Sequence, residues 1–97
     1  MERDAETSVR LDIWLWRARF YKTRKLSAEL LSKRGVRLSR NGQTRRINKP
    51  ATTITVGDDV TFGKSVHIKS VEVVSGGARR GPPDEARSLY KTWEADL

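Results

Sequence analysis

The fold is decided by residues 10–24, which read RLDIWLWRARFYKTR. Four apolar residues in this stretch recur at the i, i+3, i+4, i+7 spacing of an amphipathic helix: Leu11, Trp14, Leu15 and Ala18. This helix is predicted to end near Phe20–Tyr21. Thr23 follows as the predicted N-cap of a second helix, because its hydroxyl can accept a hydrogen bond from an unpaired backbone N–H.

The second predicted helix has its own apolar stripe, formed by Leu26, Leu30 and Leu31. Lys33 and Arg34 fall in its last turn, where cations suit the helix dipole. Gly35 is the predicted residue after the helix, in a left-handed conformation. Two short helices cannot bury both stripes alone, so they require a third layer.

The third layer is predicted to be a small antiparallel sheet of four or five strands. Val36 and Leu38 alternate with polar residues, as in a half-buried strand. Asn41-Gly42 is a strong hairpin signal, because a type I′ turn needs positive φ at both positions. Further strand candidates are rich in β-branched residues and follow at 53–56, 60–62 and 66–74.

The chain is therefore predicted to be of the α+β class, with a two-helix motif packed on that sheet and a C-terminal helix. Residues 1–8 are interpreted as a disordered lead-in and residues 9–74 as the domain. Residues 75–83 contain GGARRGPP and are interpreted as a flexible linker. A helix is predicted over 84–97, because Ala86, Leu89, Tyr90 and Trp93 recur at helical spacing.

The positive charge is confined to one segment. The chain of 97 residues carries a net charge of +8. Residues 10–50 contain 13 basic and 2 acidic residues, whereas residues 51–97 contain 6 basic and 7 acidic residues. Solubility alone requires no such segregation. The asymmetry indicates a polyanionic partner.

Several classes of function are disfavoured. The chain has no cysteine and one histidine, His67, so we expect no metal site. The Gly57…Gly63-Lys64-Ser65 segment has five residues between its glycines where a phosphate-binding loop has four, and it lies between predicted strands. We expect no catalytic residues and no cofactor. No stretch is apolar enough to span a membrane or to serve as a signal peptide, so a cytoplasmic location is expected.

The candidate RNA-binding residues crowd the helix pair and the first hairpin. Cations spaced on a rigid scaffold can grip phosphates, and arginine does so bidentately. Trp16 lies off the apolar stripe; it either stacks on a base or is covered by the rest of the domain. Asp12 is expected to orient a nearby arginine or backbone groups rather than to contact RNA. The proposed contact residues are Arg10, Arg17, Arg19, Lys22, Thr23, Arg24, Lys25, Arg37, Arg40, Asn41 and Lys49.

The same residues resemble a known family, the S-four RNA-binding domain. The matching pieces are Arg10-Leu11-Asp12, Lys22-Thr23-Arg24, Gly35-Val36, Asn41-Gly42 with Lys49-Pro50, and Val56-Gly57-Asp58. Within this family, residues 10–24 are similar to the ribosome-associated heat-shock protein fifteen group. The resemblance implies RNA held along the helices and first strand, and binding to the large ribosomal subunit stalled with peptidyl-tRNA. Its better-known member carries a longer, basic tail, whereas only Glu94-Ala95-Asp96-Leu97 follows Trp93 in this sequence.

The resulting hypothesis is a monomeric, non-catalytic protein that binds structured rRNA in a heat-shock or ribosome-rescue role, with tRNA or DNA as non-specific partners. Two alternatives remain at this point. The chain could be the RNA-targeting module of an RNA-modifying enzyme. It could also be a helix-turn-helix-like DNA binder that uses residues 23–34 as its recognition helix.

Overall fold

A computed structural model describes residues 8–64 and 66–93. The elements are arranged along the chain in this order: β1 (Val9–Arg10), α1 (Leu11–Arg17), α2 (Arg24–Arg34), β2 (Val36–Arg40), β3 (Gln43–Ile47), β4 (Thr53–Ile54), β5 (Asp59–Lys64), β6 (His67–Val73), α3 (Pro83–Arg87) and β7 (Tyr90–Thr92). Five strands form an antiparallel sheet in the order β3-β2-β5-β6-β7, and β1 pairs with β4. The predicted α+β class, with helices packed on a small antiparallel sheet, is confirmed.

The apolar stripe of α1 forms the centre of the core. Leu11, Trp14 and Leu15 are fully buried, as their helical spacing predicts. The helix ends at Arg17, earlier than predicted, because Arg19 adopts a positive φ of 67° and turns the chain. The turn brings Phe20 inward, where its ring lies 4.9 Å from that of Phe62.

Helix α2 begins and ends where the sequence predicts. The Thr23 hydroxyl accepts a hydrogen bond from the Leu26 N–H at 2.9 Å, which is the N-cap bond. Gly35 comes after the last turn with a φ of 75°. The buried Ser27 hydroxyl donates to the Asp12 carbonyl at 2.8 Å and fastens α2 to the start of α1.

The sheet has one face covered by the helices. Val36, Leu38 and Val60 are buried on that face, and the intervening residues of β2 point away from the core. The β2–β3 hairpin closes through a two-residue turn in which Asn41 and Gly42 have φ values of 53° and 80°. These positive values are those that a type I′ turn requires, so the predicted hairpin is confirmed.

The C-terminal segment differs from its prediction. The helix predicted over 84–97 spans only Pro83–Arg87, and the chain then enters β7, where Tyr90 pairs with Val73 of β6. Hydrogen bonds to the chain at the end of β6 replace the helical ones here. The Leu89 carbonyl accepts from the N–H groups of Val74 and Ser75 at 2.8 and 3.1 Å. Residues 94–97 of the predicted helix lie outside the described residues, as do residues 1–7 of the predicted lead-in.

Segment 75–83, predicted to be a flexible linker, lies against α1 in the structure. The Trp14 indole N–H donates to the Ser75 carbonyl at 2.9 Å. The Arg80 guanidinium donates to the Trp16 carbonyl at 3.1 Å, and Gly76 and Gly81 are buried. The three glycines of this segment, Gly76, Gly77 and Gly81, have no Cβ and so allow close packing here.

Candidate nucleic-acid interface

Hydrogen bonds join three separate segments at one edge of the domain. The Ser27 hydroxyl fastens the first turns of α2 to Asp12 in α1. The Asp12 N–H donates to the Pro50 carbonyl at 3.2 Å, and the Leu11 N–H donates to the Thr52 carbonyl at 2.8 Å. The start of α2, the start of α1 and the loop that contains Lys49 are therefore neighbours.

The same edge continues to the tip of the first hairpin. Arg10 pairs with Thr53 in the β1–β4 ladder. The Arg40 Nη2 lies 3.4 Å from the Thr53 carbonyl oxygen, which brings the end of β2 alongside. We call this continuous surface the basic edge; its residues are Arg10, Lys22, Thr23, Arg24, Lys25, Arg40, Asn41 and Lys49.

Four cations of the basic edge are free to meet a ligand. Lys22, Arg24, Lys25 and Lys49 are exposed, and none forms an ion pair with any residue in the described ranges. Solvated, unpaired cations of this kind are the groups that contact phosphates and displace counterions from a nucleic acid.

Arg10 is instead held in place by a buried acid. Its Nε and Nη2 donate to the two carboxylate oxygens of Asp12 at 3.1 and 2.9 Å. Asp12 is only 5% exposed, whereas about half of the Arg10 side chain is open to solvent. The hydrogen bond with Asp12 and the charge of Asp12 raise the pKa of Arg10 above its ordinary value. Asp12 therefore orients an arginine, as expected.

Arg40 repeats this arrangement at the other end of the basic edge. Its Nε and Nη2 donate to the Asp58 carboxylate at 2.8 and 2.7 Å. Asp58 is 2% exposed and also accepts from the Thr55 N–H at 2.9 Å. The hydrogen bond to Asp58 raises the pKa of Arg40, with burial opposing this shift. Each buried carboxylate fixes a guanidinium on a side chain that is about half exposed.

Trp16 is half-buried beside the start of α2. The Arg24 guanidinium carbon lies 5.7 Å from the centre of the Trp16 ring, a cation–π distance. The Trp16 side chain is therefore neither fully buried in the core nor fully exposed to solvent. It contacts Arg24, a cation of the basic edge.

Two predicted contact residues face another segment. Arg17 donates to the carbonyls of Gly76 and Gly77 at 3.2 and 2.9 Å, and its Nε is buried without a hydrogen-bond partner among the described residues. Arg19 is exposed, but its Nε donates to the Gly81 carbonyl at 2.7 Å. Both guanidinium groups fasten segment 75–83 to the helix pair, a role that helical spacing does not reveal.

Arg37, a third predicted contact residue, points away from the helices. It alternates with the buried Val36 and Leu38, so its side chain lies on the opposite face of the sheet. Sequence reasoning also omits Arg45 from the site. Arg45 is exposed on the same face of the sheet as Arg40. The sequence could have revealed this, because Arg45 lies two residues before Ile47, which packs against the core, and residues two apart on a strand share a face.

Metal and membrane sites have no support in the described ranges. These residues contain no group of three or more His, Cys, Asp or Glu side chains able to hold a metal ion. No helix of this part of the chain is long and apolar enough to cross a membrane.

Comparison with known proteins identifies the family. Residues 9–60 match the S4 domain, which is the S-four domain resembled by the sequence. The chain belongs to the S4 domain family. This match covers α1, α2 and the first hairpin, which carry the basic edge, so residues 9–60 form an RNA-binding domain of the S4 type.

Similarity to curated relatives covers nearly the whole chain. Heat shock protein 15 of Escherichia coli K12 is 35% identical over 91 residues, which is 94% of this chain and 65% of that protein. A heat shock protein 15 homolog of Aeromonas salmonicida is 34% identical over 94 residues, with 97% of this chain and 67% of that protein covered. The chain thus spans about two thirds of the length of these S4 domain relatives, just under that share for the Escherichia coli protein.

A solved structure has a similar fold. The trimeric structure of heat shock protein 15 from Vibrio cholerae superimposes with a TM-score of 0.75 and 34% sequence identity. The superposition covers 89% of this chain and 82% of the other. The chain is therefore similar in fold to this heat shock protein 15 over most of its length.

Proposed function

We propose that this protein binds structured ribosomal RNA along the basic edge and carries out no catalysis itself. The observation that carries the proposal is the continuity of the edge. Hydrogen bonds bring the starts of both helices, the Lys49 loop and the hairpin tip onto one surface, with four unpaired cations and two arginines held by buried acids.

The predicted contact residues take different roles in this proposal. Lys22, Arg24, Lys25 and Lys49 grip phosphates, while Thr23 and Asn41 present short polar groups at turns of the surface. Phosphate contacts position an RNA without reading its sequence. Selectivity then arises from the shape of a folded RNA, whose wide minor groove and 2′-hydroxyls suit recognition by a rigid surface.

The specific partner proposed is the large ribosomal subunit, free or stalled with peptidyl-tRNA, in the cytoplasm and in a heat-shock or ribosome-rescue role. The S4 domain and the likeness to heat shock protein 15 support this assignment. Fractionation of a lysate on a sucrose gradient tests it, with the protein expected to co-sediment with large subunits. Co-sedimentation with small subunits would show that the small subunit, not the large one, is the partner. A protein found only at the top of the gradient at low salt would refute ribosome binding.

A pair of matched triple variants tests the surface. Replacing Lys22, Arg24 and Lys25 with alanine removes three cations of the basic edge and should weaken RNA binding strongly. The control replaces Lys64, Lys69 and Lys91 with alanine, which removes the same charge from β5, β6 and β7. Circular dichroism establishes that both variants fold. Equal loss of RNA affinity in the two would show that net charge, not the basic edge, determines binding.

The two alternatives predict different results. If α2 reads DNA, duplex DNA should compete with structured rRNA for the protein at equal strength or better. If the chain targets a catalytic partner to RNA, affinity capture should retain an enzyme in stoichiometric amount. The start of α2 is exposed and basic, as either nucleic acid would require, and the S4 match favours RNA.

The oligomeric state stays a prediction. A monomer is expected from the sequence, whereas heat shock protein 15 from Vibrio cholerae has a trimeric structure. Light scattering coupled to size-exclusion chromatography separates the two, since a trimer would elute with a mass near three times 11.1 kDa.

A further inference from the structure

A second cationic cluster lies on the sheet face that the helices leave open. Arg37 of β2 stands directly opposite Arg46 of β3, and on its other side it stands opposite Thr61 of β5. These three residues share one face because directly paired residues of antiparallel strands point the same way. Arg34, at the end of α2, borders the same place.

The cluster surrounds an open hollow of about 440 Å³. The residues that line it include Arg34, Arg37, Arg46, Thr61 and Ile68. Ile68 is 78% exposed, so the hollow is open on that side. None of the residues lining the hollow is acidic.

Arg46 is held in position at the rim. Its Nη2 donates to the Arg34 carbonyl at 2.9 Å, and its other N–H groups have no partner among the described residues. Gly35 makes this approach possible, because a Cβ there would lie 3.2 Å from the Arg46 Nε and 3.1 Å from the Ile47 carbonyl oxygen. The glycine thus provides both the positive φ after α2 and the space for a guanidinium.

The arrangement leaves positive charge unbalanced. Like charges directly opposite on paired strands are unfavourable. Elsewhere in the described chain four arginines meet carboxylates, namely Arg10, Arg40, Arg79 and Arg87. Within the same ranges neither Arg37 nor Arg46 forms an ion pair, although both have N–H groups available. An anion seated between them would supply the missing charge.

We infer that this hollow is a phosphate-binding site, separate from the basic edge. Fork-shaped guanidinium groups bind phosphate oxygens bidentately. Thr61 borders the hollow, and its hydroxyl shares a hydrogen bond with the Ser70 hydroxyl at 2.8 Å. Part of the basic edge lies at the start of α2, and the hollow lies at the end of α2. These places are about 16 Å apart, the length of an 11-residue helix, so one phosphate cannot reach both. The phosphate is that of an RNA chain or of a small phosphorylated molecule.

Nuclear magnetic resonance with inorganic pyrophosphate as the probe tests the site without any RNA. In a low-salt titration of the full chain, the amide signals of Gly35, Arg37 and Thr61 should shift together with the Arg37 Nε–H signal. Arg37→Gln should weaken pyrophosphate binding by at least roughly tenfold, the loss expected for a charge-assisted hydrogen bond. Arg37 has no bonded partner among the described side chains, so this variant should fold.

The control variant is Arg87→Gln, which removes the same charge from a helix far along the chain and should bind pyrophosphate as the wild type does. Shifts spread evenly over all basic residues, or equal binding by Arg37→Gln, would overturn the proposal.

A parallel titration with structured RNA identifies the source of the phosphate. RNA that shifts the same signals assigns the site to an RNA phosphate; RNA that leaves them unchanged while pyrophosphate binds assigns it to a small phosphorylated molecule. Neither result depends on whether the partner RNA is ribosomal.

Discussion

Replacing Arg40 with alanine should test how strongly the buried acids stabilise the domain. The change leaves the Asp58 carboxylate, which is 2% exposed, with only the Thr55 N–H as a partner. Removing one member of a fully buried ion pair costs about 3–5 kcal/mol. Arg40 is 46% exposed, so water can reach its side of the pair, and we expect roughly half of that cost, about 1.5–2.5 kcal/mol.

A matched control exists in the same chain. Arg87 and Asp84 form an ion pair of the same length, 2.7 Å, but their side chains are 65% and 93% exposed. Arg87→Ala should therefore change the unfolding free energy by about 0–0.5 kcal/mol. Both variants remove one guanidinium, so the difference between them isolates the burial of the acid.

Thermal unfolding followed by circular dichroism provides the measurement. In a domain of this size about 1 kcal/mol corresponds to 4–8 °C in Tm, so Arg40→Ala should lower Tm by roughly 6 to 20 °C. The double variant Arg40→Ala with Asp58→Ala should lose less than the sum of the single losses, because the two groups interact directly. Equal Tm values for Arg40→Ala and Arg87→Ala would refute the reasoning.

Three further predictions concern the helix ends and the RNA. Thr23→Ala removes the N-cap bond and should cost about 0.5–2 kcal/mol in chemical denaturation, whereas Thr23→Ser should be nearly neutral. Gly35→Ala should cost about 1–3 kcal/mol because of its φ of 75° and its close neighbours, whereas Gly63→Ala, with no atom within 4 Å of the new Cβ, should have little effect. RNA affinity should fall with salt at a log–log slope of about −4 to −5 if six cations of the basic edge each meet a phosphate, and a slope near zero would contradict the electrostatic account.

The helix pair and the first hairpin are predictable because each has a local cause. The spacing of Leu11, Trp14 and Leu15 requires a buried helix face, Thr23 caps the helix that begins at the next residue, and Asn41-Gly42 supplies two positive φ values. These signals depend on neighbours along the chain, so the sequence contains them directly.

The C-terminal segment shows where such reasoning fails. Ala86 and Leu89 are both buried, as a helix would predict, but the same spacing also serves a short helix followed by a strand. The outcome depends on the free edge of β6, which accepts Tyr90 opposite Val73. An edge formed by residues about twenty positions earlier leaves no mark in the local pattern, and for this reason strand β7 is absent from the prediction.

The candidate site is predictable as a set of cations but not as a surface. Charge alone cannot distinguish Lys25, which is exposed and unpaired among the described residues, from Arg17, which donates to the carbonyls of Gly76 and Gly77. Those carbonyls belong to a segment about sixty residues away. The prediction groups Arg37 with the helices because β2 comes soon after them, whereas alternation turns its side chain to the other face.

The two buried acids explain how so basic an edge can be ordered before RNA arrives. Unpaired guanidinium groups crowded on one surface repel one another and sample many rotamers, and ordering them on binding costs free energy. Asp12 and Asp58 each fix one arginine in the free protein and offset part of that repulsion, while half of each guanidinium side chain stays open to solvent. The same acids reduce the positive charge that faces RNA. The arrangement therefore gives up some electrostatic attraction and gains a preformed shape, which suits recognition of a folded RNA by its form.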